Sequence, residues 1–114
     1  MSERELNAIL LDMLEATRRI ESFTAGMTFP QFQEDVKTQD AVLRNLEVLG
    51  EAAKYVPKDI QDQYHSLPWR EMAGTRDRLI HHYFGVNLDI VWGIVELELP
   101  SLKAKLEEML GGGK

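Results

Sequence analysis

TFPQFQEDVKTQDAVLRNLEVLGEAAK, residues 28–54, decides how the chain is built. Thr28 followed three residues later by Gln31 is a capping pattern, in which the hydroxyl takes the backbone N–H of Gln31 and the amide reaches back to that of Thr28. Pro30 suits a first helical turn, where its missing N–H costs no bond. Together they predict a short helix over roughly 29–36. A long helix is predicted from Thr38 to Tyr55, because Val42, Leu46, Leu49 and Ala53 recur at helical spacing and form one apolar stripe. Gly50 lies inside that helix at a cost of about 1 kcal/mol in propensity. A close approach of another helix would explain it.

The same periodicity extends in both directions. Ser2 with Glu5 reads as a capping box, and Leu6, Ile9, Leu10, Met13, Leu14, Ile20 and Phe23 follow at helical spacing up to a stop at Gly26. Pro57 ends the long helix and seeds a short one over Asp59–Tyr64. Pro68 opens a segment that stops near Gly85, and Asn87 caps a last helix that runs to Leu110 with a kink expected at Pro100. Ile90, Val91, Trp92, Ile94, Val95, Leu97 and Leu99 nearly encircle that helix, so it is expected to be covered on more than one side, by a partner chain on one of them. No stretch sustains strand-like alternation. The expectation is an all-α, up-and-down bundle of four or five helices, dimeric, with one domain over 1–110 and a disordered glycine-rich tail over 111–114.

Composition narrows the chemistry. The 114 residues contain no cysteine, which excludes disulfide frameworks, zinc–thiolate sites and a cysteine nucleophile and fits a reducing compartment. No apolar run is long enough to span a bilayer, and the N-terminus lacks a signal-peptide pattern, so a cytoplasmic protein without membrane contact is expected. The net charge of −6 argues against a general nucleic-acid binder. The charge is uneven, however: Arg70, Arg76 and Arg78 cluster near His81 and His82, opposed only by Glu71 and Asp77.

Several kinds of site find no support. His81 and His82 are neighbours about 100° apart on a helix and do not readily share one ion, His65 stands apart, and no E-x-x-H pair exists. No metal or other cofactor is expected. Gly74 and Gly85 do not form a phosphate-cradling loop, and Ser66 and Ser101 lack an evident base.

RDRLIHHYFG, residues 76–85, admits two readings. In the plain one, Leu79, Ile80, Tyr83 and Phe84 face the core while Arg76, Arg78 and His82 meet water. In the chemical one, Arg76 and Tyr83 are seven apart on one helix face, and Asp77 and His81 are four apart on an adjacent face. Arginine is a fixed cation matched to phosphate, and histidine moves protons near neutral pH. That pair suffices, without metal, to cleave RNA through its own 2′-hydroxyl.

The stretch fits R-x(4)-H-x-Y with a polar residue after the arginine, and it resembles the signature of the HepT-like toxins of the HEPN superfamily, known from type VII toxin–antitoxin systems. The resemblance extends over nearly the whole chain. Residues 28–54 are similar to the family's central helices, including a G-E-A-A step at Gly50–Ala53. PWREMAGTRDRLIHHYFGVNLDIVW is similar to its motif helix and the following turn, and ELELPSLKAKLEEML to its C-terminal helix.

The resemblance implies a two-fold dimer whose subunits bring arginine and histidine together in a cleft at the interface. It implies a metal-independent endoribonuclease acting as a toxin, with RNA as substrate and a small nucleotidyltransferase as cognate antitoxin. Arg76 and His81 are then the catalytic pair, Asp77 the supporting polar residue, and Tyr83 the hydroxyl to which the partner transfers AMP. His82 falls at a variable position and takes no role. Two rivals use the same residues: a non-catalytic nucleotide- or partner-binding subunit of a nucleotidyltransferase complex, and a purely structural helical dimer.

Overall fold

A computed structural model describes residues 1–74 and 87–111. Every regular element among them is helical. The helices are α1 (Glu3–Thr24), α2 (Phe29–Glu34), α3 (Val36–Lys54), α4 (Lys58–Gln63), α5 (Trp69–Ala73), α6 (Leu88–Gly93) and α7 (Leu99–Gly111), with a π turn (Ile94–Glu98) joining the last two. None is long and apolar enough to cross a membrane.

Local chemistry sets the first boundaries. The Ser2 hydroxyl accepts the Glu5 N–H at 3.1 Å and opens α1; the Glu5 carboxylate in turn takes the Ser2 hydroxyl rather than its backbone N–H. Gly26, with φ at +71°, follows the end of α1 in the left-handed conformation that glycine adopts without steric cost. At α2 the complete capping box forms: Thr28 Oγ1 accepts from Gln31 N, and Gln31 Oε1 accepts from Thr28 N at 2.9 Å.

The long helix begins earlier than Thr38. Asp35 caps it, its two carboxylate oxygens accepting the backbone N–H of Thr38 at 3.0 Å and the Thr38 hydroxyl at 2.7 Å. Gln39 reaches back to the carbonyls of Phe32 and Gln33, tying the end of α2 to the first turn of α3. Thr38 therefore belongs to the first turn as a donor to the cap.

The stripe of Val42, Leu46, Leu49 and Ala53 is buried along its whole length. It packs on α1 through Leu10, Met13, Leu14 and Ile20, and α7 adds Leu99, Leu102 and Leu106 to the same core. Each fully buried leucine or isoleucine side chain contributes about 1.5–3 kcal/mol by leaving water. Phe23 departs from its expected face and is 40% exposed. Thr24 takes the inward position there, and its hydroxyl is satisfied by the Ile20 carbonyl at 2.8 Å.

The kink expected at Pro100 takes the form of the π turn. Proline at 100 cannot donate to the carbonyl of Glu96, and its ring crowds that carbonyl. The chain widens just before it, with Leu99 N–H bonding to Ile94 O, five residues back. Val91, Ile94 and Leu99 face the core through this irregularity, while Leu97 is 80% exposed. The helix extends one residue beyond its expected end, to Gly111.

Candidate active site

Arg76, Asp77, His81 and Tyr83 lie outside the described residues, as does the expected stop at Gly85. What the structure fixes are the two ends from which this stretch departs.

The upstream end is α5. Its backbone lies directly on α3: a Cβ placed on Gly50 would stand 2.6 Å from the carbonyl oxygen of Met72. The glycine in the G-E-A-A step is thus a contact point between helices. Trp69 anchors the start of α5, buried and donating its indole N–H to the carbonyl of Tyr64 at 3.0 Å. Met72 N–H bonds to Pro68 O and Gly74 N–H to Arg70 O, both at 2.9 Å, so the helix is closed up to the residue before Thr75.

The downstream end is Asn87. Its side-chain oxygen accepts the N–H groups of Asp89 at 2.9 Å and Ile90 at 3.3 Å, the expected cap of α6. One turn later Trp92 stacks at a tilt on Phe32, ring centroids 5.0 Å apart, and also meets Phe29 at 6.0 Å. Phe32 is completely buried, so α2 clamps α6 onto the core. The described flank before residue 75 is docked on α3, and the flank after residue 86 is clamped by α2.

No group of three or more histidine or acidic side chains among the described residues could hold a metal ion. His65 is exposed, at the far side of α4 from its start. Arg70, expected in a local basic patch with Arg76 and Arg78, is exposed on α5. Arg76 and Arg78 lie outside the described residues, and the described cations along one groove with Arg70 are Lys54, Lys58 and His65. Sequence reading misses this grouping because α3, α4 and α5 contribute one or two cations each, with no local pattern joining them.

The family model for Ribonuclease HepT-like proteins matches residues 13–109, a span that contains both anchored ends and the whole motif. The chain belongs to the HepT-like family. It is similar to the Methanocaldococcus jannaschii protein named "Putative RNase MJ0127", with 46% identity over 96% of this chain and 91% of the relative. It is 48% identical to the Thermococcus cleftensis protein named "Probable ribonuclease HepT", over 88% of this chain and 91% of that one. A bacterial relative, "Putative RNase TTE0752" of Caldanaerobacter subterraneus, is 42% identical over 75% of this chain and 76% of its own. No solved structure matches. The HepT-like family is a ribonuclease family, and the chain is by class an endoribonuclease.

Proposed function

We propose that the protein is the toxin of a toxin–antitoxin pair, a metal-independent endoribonuclease silenced by AMP transfer to Tyr83 from a cognate nucleotidyltransferase. The observation that carries this is the coincidence of family membership over residues 13–109 with an intact R-x(4)-H-x-Y at Arg76, His81 and Tyr83 inside that span.

The chemistry needs no metal. His81 takes the proton of a ribose 2′-hydroxyl as general base. The 2′-oxygen attacks the adjacent phosphorus, and Arg76 stabilises the charge that develops on the phosphorane oxygens. The bond from phosphorus to the 5′-oxygen breaks, and that oxygen leaves with a proton from a second acid, supplied by the partner subunit. The products are a 2′,3′-cyclic phosphate and a 5′-hydroxyl. Asp77 supports the pair by orienting His81, four residues away.

Two copies of the chain form the working unit. The family resemblance supports this, since it implies that the arginine and histidine of two subunits meet in one cleft. AMP on Tyr83 sets a phosphate beside Arg76 and competes with the RNA phosphate for that cation.

End-group analysis tests the reaction directly. RNA cut in EDTA is expected to carry 2′,3′-cyclic phosphate and 5′-hydroxyl ends, and a 2′-O-methyl RNA of the same sequence is expected to resist. Cleavage of the methylated strand, or activity that EDTA removes, would overturn the mechanism.

A further inference from the structure

The groove bounded by the end of α3, by α4 and by α5 has a volume of about 570 Å³. It carries three permanent cations, Lys54, Lys58 and Arg70, together with His65, against the carboxylates Asp62 and Glu71. Its floor is fixed: Ala53, Leu67 and Trp69 are buried, and Gln61 is tied to the Val56 carbonyl at 2.9 Å. Other depressions in the surface have the opposite sign. The one between α1 and α3 sets Asp12, Glu47 and Glu51 against Arg44 alone, and the one beside α2 holds Glu34 and Asp35. On a chain of net charge −6, a cation-rich groove is a local exception.

Outside the groove, two cations reach carboxylates on another helix, Arg18 to Glu107 at 3.6 Å and Lys103 to Glu21 at 2.8 Å. In the groove, Lys54 lies 3.5 Å from Glu51 and Lys58 pairs with Asp62, each pair exposed and formed within a single helix. Arg70 makes no ion pair with another described residue. Exposed pairs of this kind are worth about 0–1 kcal/mol, so a polyanion that presents several phosphates at once displaces them easily. The position is also telling. Ala73 lines the groove, and Arg76 follows it by three residues in the chain.

We infer that this groove binds the phosphodiester backbone of single-stranded RNA, with Lys54, Lys58 and Arg70 as phosphate contacts outside the catalytic pair. The inference takes its ligand from the nuclease reading and adds a substrate-holding surface to it. It also offers an acidic protein a way to hold RNA: three cations lie together along one path.

The test is fluorescence anisotropy with a labelled 2′-O-methyl RNA single strand, which the proposed reaction cannot cut, across a salt series. Each phosphate contact contributes about −0.7 to the slope of log K against log salt for single strands. The triple variant Lys54→Gln, Lys58→Gln, Arg70→Gln is therefore expected to bind more weakly, with a slope flatter by about 2. The variant Arg18→Gln, Arg19→Gln, Lys37→Gln, which removes as many cations elsewhere, is expected to bind like wild type. Asp62→Asn is expected to bind more tightly, a gain that misfolding cannot produce. Equal losses in both triple variants, or no binding by wild type, would overturn the inference. Binding through the groove without cleavage of unmodified RNA would leave the groove standing and remove the nuclease mechanism.

Discussion

Gly50 and the carbonyl of Met72 approach so closely that a single added methyl group would sit 2.6 Å from the oxygen. The neighbour is backbone, so it cannot rotate away. This contact seats α5 on α3 two residues before Gly74. Gly50→Val is expected to destabilise the protein by about 1–3 kcal/mol through overpacking, read as a lower urea midpoint at constant m-value. Gly50→Ala should lose less, because alanine regains about 1 kcal/mol of helix propensity. An unchanged midpoint for the valine variant would contradict the close approach.

Asp35 is expected to make the cap of α3 pH-dependent. Its carboxyl is held below the ordinary value of 3.8 chiefly by the Thr38 hydroxyl and then by the Thr38 backbone N–H, with a small push upward from burial and a small further lowering by Lys37. A folded-state value below the unfolded one means that the cap stabilises fully above 3.8 and loses that contribution as pH falls through the lower folded value. Asp35→Ala is therefore expected to be less stable than wild type at neutral pH, with the gap narrowing in strong acid. Thermal unfolding of both proteins across that range checks it, and a gap independent of pH would contradict the linkage.

On the proposed function, a substitution at Tyr83 separates silencing from catalysis. Incubated with ATP and the cognate nucleotidyltransferase, wild-type protein is expected to gain the mass of an adenylyl group and to lose RNA cleavage. Tyr83→Phe should gain no mass and keep cleaving under the same conditions. An adduct of the same mass on the phenylalanine variant would place the modification on another residue.

The helices are legible in the sequence wherever a boundary rests on residues three apart. Ser2 with Glu5 and Thr28 with Gln31 announce α1 and α2, and Asn87 announces α6, because a cap is a local bond. Asp35 carries the same kind of bond to Thr38, yet Thr38 is an equally suitable cap by residue type, so the pattern alone does not choose between them. The π turn is not legible. Pro100 signals that a bond is missing, but whether the helix bends or widens depends on how Val91, Ile94 and Leu99 must all reach one core.

Contacts across the chain set a second limit. Gly50 reads as a place of close approach, yet nothing near it in sequence names Met72 as the neighbour. Lys54, Lys58, His65 and Arg70 are spread over three helices, and only the fold gathers them. The motif is the reverse case. Arg76, His81 and Tyr83 are close in sequence, yet their order alone admits two readings, and it is the resemblance of the whole span to the family that favours the chemical one.

The most direct measurement is the initial rate of RNA cleavage in EDTA, for protein whose intact mass shows no modification, with wild type beside His81→Ala. Wild type is expected to cleave without metal, and His81→Ala to fall by about 10²–10⁴-fold, the worth of general acid–base catalysis. Equal rates for the two proteins, or no cleavage by wild type, would contradict the assignment of His81 as the base of a metal-independent ribonuclease.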